Sequence, residues 1–251
     1  MLYFADEQND QPDRVGMALK RIAEKLIDER VSGVIFHPVD YCENASEINH
    51  ELISMFKAAD IPVVLLDCDL DSTLERSDLD QVGIDNIAAG WKIGKHLLER
   101  KAKKVFFVMR TKWSVNVRKR LIGLQNALSE VKGAKVEEFH LTETSRKDLM
   151  RRFRRKLPDA IVCSSDAVAA IVLKQLLGIG KRVPDDVLLT GVNDVEIARI
   201  TAPSLTTIHQ PCAAIARSAV DMLEWRIANP NAGAKRVSHG ADLIVRHSTG
   251  K

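Results

Sequence analysis

The chain has 251 residues, 45% apolar and 28% charged, with a formal net charge of +3. That balance excludes a disordered or fibrous chain and suffices for one large core or two of ordinary size. So small a positive excess argues neither for nor against nucleic acid, and apolar runs such as residues 63–66 and 105–109 are too short to span a bilayer.

The opening residues Met1-Leu2-Tyr3-Phe4-Ala5 read as a strand, followed by a polar turn over residues 6–12. Apolar residues then step by three and four from Val15 through Leu19, Ile22 and Leu26, which predicts a helix with one buried face and Pro12 in its first turn. Residues 34–36 form the next strand and end at His37-Pro38. A second amphipathic helix covers residues 45–59, with Ile48, Leu52, Ile53 and Phe56 inward. Residues 61–66 are a strand with proline at its entry, ending at Asp67 and Asp69. A polar loop leads to a short strand at residues 81–84, and Asp85-Asn86 starts a helix over residues 87–100.

The basic turn at residues 101–104 is a candidate seam between two domains. Beyond it come a strand (104–109), a helix (115–130), a strand (134–139) and a basic helix (146–156). Residues 160–163 make a strand that stops at Ser164-Ser165-Asp166, polar residues suited to cap the helix at 167–177. Gly178 and Gly180 end that helix. A strand from residue 187 closes at Gly191-Val192-Asn193-Asp194, and a short helix and an ordered connection to Pro211 follow. The last elements are a helix over 213–227, a loop over 228–234, and a strand or hairpin over 236–246. Strands alternating with helices of this length imply βαβ units, mostly parallel sheets and an α/β class, and about nine strands suit two sheets better than one.

Several strands deliver polar residues at their carboxyl ends: His37, Asp67 with Asp69, Asp85 with Asn86, Ser165 with Asp166, and Asn193 with Asp194. Small ligands bind there in open α/β sheets, although each residue type is also an ordinary helix cap. Asp67 and Asp69 lack a third partner for metal or acid–base work, and His37 has no liganding neighbour. Arg118 and Arg120 lie at the start of a helix, where a guanidinium fork suits paired hydroxyls or a carboxylate. The basic run at 146–156 goes round its helix, as a solvated face does. No GxSxG, P-loop, HExxH or GxGxxG occurs, so no catalytic residue, metal or cofactor is assigned. Cys42, Cys68, Cys163 and Cys212 show no metal-ligand spacing and read as free thiols of a reducing compartment, which with no signal peptide in view makes the expected location cytoplasmic.

Val183-Pro184-Asp185-Asp186-Val187, then Gly191-Val192-Asn193-Asp194, then residues 203–211 with the sequence PSLTTIHQP, carry a pattern. Residues 31–35 and 61–64, Arg120-Leu121-Ile122-Gly123, and the terminal Leu243-Ile244-Val245-Arg246-His247-Ser248-Thr249 support it in the same order. The chain resembles the effector-binding core of the LacI/GalR family of bacterial transcription regulators, whose fold is shared with periplasmic sugar-binding proteins. The resemblance implies two doubly wound parallel-sheet lobes with a ligand cleft between them. The first lobe would be 1–102 plus 210–236, and the second 103–209 plus 237–251. It also implies a non-enzymatic homodimer sensing a sugar or similar small polar effector, or alternatively a solute-binding receptor without a regulatory role.

Carried over by position, the ligand-binding residues are Asp85, Arg120, Ser165 and Asn193, with His37, Asp67, Arg118, Asp166 and Asp194 in supporting or cleft-edge places. Ser165 stands where the family commonly has asparagine, and Asn193 where it commonly has aspartate. Residues 1–4 match the family's second core strand. The expectation is therefore a first lobe without its first strand and helix, no DNA-binding domain in this chain, and operator DNA reached only through such a domain.

Overall fold

The computed structural model describes residues 12–250 except 41, 43, 72–75 and 111–113. The strand and turn expected at residues 1–11 lie outside the described residues. In chain order the elements begin with α1 (Pro12–Asp28), β1 (Val34–Phe36), α2 (Ala45–Ala58), β2 (Val63–Leu66), β3 (Asp80–Ile84) and α3 (Asn86–Glu99). Then come β4 (Lys104–Arg110), α4 (Val115–Ser129), β5 (Lys135–Leu141), α5 (Glu143–Arg155), β6 (Ala160–Cys163) and α6 (Asp166–Gly178). The chain closes with β7 (Leu188–Asn193), α7 (Glu196–Ile200), β8 (Thr206–His209), α8 (Cys212–Ala228), β9 (Arg236–His239), β10 (Asp242–Ile244) and a short 3₁₀ turn, His247–Thr249.

These elements form two compact units. The first takes the residues up to Ile84 plus Cys212–His239. Its sheet has the order β1-β2-β3-β9 and every pairing is parallel. Val15 and Ala23 of α1 and Ile48, Leu52 and Phe56 of α2 share a core with Val63 and Leu65 of β2. Val64, which points to the opposite face, is fully buried, and α8 runs against β1, β2, β3 and β9. Asn49 was not anticipated as an inward residue. Its side chain is fully buried and bonds Val39 N–H and the carbonyls of Val39 and Leu70, fastening the turns after β1 and β2. Arg226 of α8 grips buried Asp80 (2.6 and 2.9 Å) and also donates to the carbonyls of Ala232 and Gly233, so the 228–234 loop is ordered around one guanidinium.

The second unit comprises Asp85–Pro211 and the residues from Gly240. Its six-stranded sheet runs β10-β8-β7-β6-β4-β5, parallel except for β10. Every residue of β6 is buried, as in a central strand covered on both faces. Leu149 and Phe153 of α5 and the apolar face of α6 pack with Val108, Ile161 and Leu189 in one core. Residues 206–209, expected as a connection, are strand β8 between β7 and β10. Nor is 236–246 a hairpin, since β9 and β10 belong to different sheets. Turn-rich segments with only three or four extended residues gave no periodicity to separate a strand from a loop.

The division between units falls at Ile84/Asp85 instead of the expected 102/103. The reason is α3, which packs against α4 so closely that a Cβ at Gly90 would stand 1.9 Å from the Arg120 carbonyl oxygen. A Cβ at Gly123 would meet the Ile87 carbonyl oxygen at the same distance. Only glycine allows these backbones to touch. Gly123→Ala and Gly90→Ala are expected to lower the unfolding free energy by about 3 kcal/mol each. Gly178→Ala, at a helix end with open space around it, should stay within about 0.5 kcal/mol of the parent. Urea denaturation of the three variants checks this, and a loss at Gly178 equal to that at Gly123 would contradict the close-packing account.

Candidate functional site

In the six-stranded sheet the chain leaves β4 in one direction to β5 and in the other to β6, so the strand order reverses between β4 and β6. The carboxyl ends of these two strands are where an open α/β sheet presents a ligand crevice. Arg120, one turn into α4, sits at this place. It is 7% exposed, and its Nη1 donates to Asn86 Oδ1 at 2.7 Å, with Nη2 3.5 Å from the Ser164 carbonyl. One guanidinium therefore joins the starts of α3 and α4 to the end of β6. Arg120 is thus buried and anchored, with its fork held by a side-chain and a backbone acceptor.

Asp85 and Ser165 flank this anchor. Asp85 is exposed and caps α3 by accepting from Ala88 N–H (2.8 Å), while partly buried Ser165 caps α6 through Val168 N–H (3.3 Å). Both positions thus serve as the helix caps that their residue types suggest. Asn193, exposed at the end of β7, has φ of 109° and accepts from Gln210 Nε2 at 2.8 Å. A non-glycine residue there is strained, and such strain gathers at functional positions.

Two acids behind these residues have opposite electrostatics. Asp166 is fully buried and accepts from Thr207 Oγ1 (2.6 Å) and Val195 N–H (3.0 Å). Burial is the largest influence on its carboxyl and holds it above the usual range, against those two bonds. Gly191 gives it room, because a Cβ there would lie 2.1 Å from Asp166 Oδ1. Asp194 is also pushed up by burial, but bonds from Arg246 (2.5 Å) and Arg199 (3.1 Å) outweigh it and leave the group below the usual range. His209 Nδ1 lies 3.1 Å from the same carboxylate.

Ser165, Asp166, Asn193 and Asp194 lie at the carboxyl ends of β6 and β7, Arg120 reaches the end of β6 from α4, and Asp85 stands at the start of α3, next to the Asn86 that holds Arg120. Arg118 is exposed on α4. His37 and Asp67 belong to the other unit, at the ends of β1 and β2; His37 is exposed, and Asp67 has φ of 67° with its backbone 3.1 Å from where a Gly83 Cβ would be. Thr207, Gln210 and Arg246 were missed, and Asn86, named with Asp85 as a strand-end polar residue, was not carried into the ligand set. Asn86 followed Asp85 in the same polar break and was readable there. Thr207 lay in the unrecognised β8, and Arg246 and Gln210 meet their partners only through the fold. Among the described residues no group of three or more His, Cys, Asp or Glu could hold a metal ion, and no helix is long and apolar enough to cross a membrane.

A family model described as a periplasmic binding protein-like domain matches residues 95–249, more than half of the chain. The chain belongs to that family. Within it the chain is an effector-binding core of LacI/GalR type. It is 28% identical over 256 residues to the HTH-type transcriptional repressor PurR of Mannheimia succiniciproducens, covering 100% of this chain and 72% of that protein. The PurR of Haemophilus influenzae is likewise 28% identical, over 98% of this chain and 71% of its own. Among solved structures, the transcriptional regulator CelR in complex with cellobiose superimposes with a TM-score of 0.76 at 25% identity, covering 94% of this chain and 71% of that chain. A LacI family regulator from Enterococcus faecalis V583 with bound ribose has a TM-score of 0.75 at 24% identity, over 97% and 84% of the two chains, and shows the fold alone.

The depressed carboxyl of Asp194 stabilises the periplasmic binding protein-like core above the unfolded value of about 4, and this contribution is lost as pH falls through the lower folded value. Asp194→Asn should cost about 3 kcal/mol at neutral pH, because it leaves two cations without their buried acid. The gap between variant and parent should narrow below pH ~4, measured by chemical denaturation across pH. A gap constant down to pH ~2 would show that Asp194 acts through packing alone.

Proposed function

We propose that this core senses a sugar or similar small polyol, bound at the carboxyl edge of the six-stranded sheet by Asp85, Arg120, Ser165 and Asn193. Asp166 and Asp194 shape the floor, and Arg118 is a supporting position. The observation that carries this reading is the Arg120 anchor: a charged five-donor fork, buried at the sheet's switch point and held by Asn86 and the Ser164 carbonyl. A fork fixed in this way presents donors to vicinal hydroxyls at little entropic cost. Asp85, one residue before Asn86, and Asn193, at the end of β7, are exposed acceptors, and Ser165, one residue after Ser164, adds a hydroxyl that both donates and accepts. The relative CelR, solved with cellobiose, supports a carbohydrate class.

Ser165 and Asn193 set the preference within that class. A serine is shorter than the asparagine common in the family, and a neutral amide replaces the commoner acid. The site should therefore take a ligand that needs fewer strong acceptors there. The core works as a homodimer in the cytoplasm, with effector binding shifting the population between two arrangements of the regulator. Operator DNA is met through a separate helix-turn-helix domain.

The test is thermal unfolding of the purified chain against a panel of mono- and disaccharides, polyols, sugar phosphates and purines, followed by calorimetry. At a hundredfold excess over its dissociation constant the matching sugar should stabilise the fold by about 2.7 kcal/mol. Ser165→Ala and Asn193→Ala should each weaken it about tenfold, equivalent to about 1.4 kcal/mol. Stabilisation by a purine and by no sugar would overturn the carbohydrate reading.

A further inference from the structure

A recess of ≈ 350 Å³ opens at the amino end of β4 and β5, walled by the last turn of α5. Its apolar floor includes Phe106, Leu157 and Pro158, and its rim carries Lys104, Lys135, Arg155 and Lys156. Lys104 and Lys135 are direct partners in the parallel register of the two strands, both exposed. Like charges on adjacent strand positions repel, and no strand geometry requires them. Arg155 and Lys156 are satisfied in part by the negative end of α5; the lysine pair has no such account.

The carboxylate on this wall is already committed. Glu137 takes both Nη atoms of Arg152 (2.6 and 3.1 Å), and that guanidinium lies over the rings of Phe106 and Phe139, 5.0 and 5.7 Å from their centres. Asp159, next to Pro158, accepts the backbone N–H groups of Lys103 and Lys104 at 2.8 Å each. Among the described residues none of the four rim cations forms an ion pair. The result is a concave surface lined by the paired Arg152 and Glu137 and by four further cations.

We propose that this recess is a second binding site, for a small organic phosphate carrying two or more negative charges. The phosphates would lie among Lys104, Lys135, Arg155 and Lys156, relieving the lysine repulsion, and the organic part would rest on Leu157 and Pro158, beside the Arg152 guanidinium that covers Phe106. The volume is that of a small-ligand site. It lies at the opposite end of β4 from the candidate effector residues, about 20 Å away along the strand. Occupancy here is therefore independent of whether the effector reading above is correct.

The experiment titrates the full chain at low ionic strength with ADP and pyrophosphate, with adenosine as the uncharged control, by calorimetry and thermal unfolding. ADP should bind more tightly than pyrophosphate, adenosine should not bind, and the affinity should fall steeply with added salt. Lys135→Gln and Lys156→Gln should each weaken ADP at least tenfold while unfolding without ligand at no lower temperature than the parent. Asn193→Ala should leave ADP affinity unchanged. The proposal is overturned by absent ADP binding, by equal binding of adenosine, by ADP affinity lost in Asn193→Ala but retained in Lys135→Gln, or by lysine-dependent binding of duplex DNA without binding of ADP.

Discussion

The contact that the second unit depends on is the meeting of α3 and α4 at Gly90 and Gly123, where backbone carbonyl faces backbone with no side chain between. It sets the distance between the two helix starts, and so decides that Asn86 on one reaches Arg120 on the other. A side chain at either glycine would push the helices apart and break the bond that holds the guanidinium plane. The same contact draws α3 into the unit of the six-stranded sheet although β3, which leads into it, belongs to the other sheet. Packing geometry and the candidate site are therefore one problem in this protein.

Behind the site, two neighbouring carboxylates are held in opposite senses. Asp194 sits among cations and stays charged; Asp166 sits among a hydroxyl and a backbone amide, with Asp194 nearby, and is driven toward the neutral form. The pair ties β6, β7, β8 and the segment after β10 together at their carboxyl side. The acid beside the arginines is the one whose charged form is favoured, as the cost of burying an unpaired ion requires. Rigid support of this kind is what a hydrogen-bonding site needs, because a loosely held donor loses its advantage to entropy.

Most helices and strands were legible in the chain, for identifiable reasons. The stripe from Val15 to Ile27 has the helical period, β4 and β6 are short apolar runs bounded by turn residues, and Asp85 and Ser165 announce the helices they cap. Where the reading failed, the local signal was weak. Strand β8 is four residues of threonine, isoleucine and histidine between prolines, which extended loops also contain. The split of residues 236–246 between two sheets has no local signature, since pairing is chosen by distant strands. In the site, each polar residue at a strand end was visible, but a cap and a ligand contact use the same side chains.

By itself the sequence determined the α/β class, the alternation of strands and helices, and the strand-end positions at which polar groups would appear. These follow from periodicity and from the chemistry of turns, which act over a few residues. Only the tertiary structure decided that Arg120 is buried against Asn86 and Ser164, that Gly90 passes the Arg120 carbonyl and Gly123 the Ile87 carbonyl, and that Arg246 reaches back to Asp194. Those partners lie 30 residues apart or more, and burial and hydrogen bonding at such separations depend on how whole elements pack.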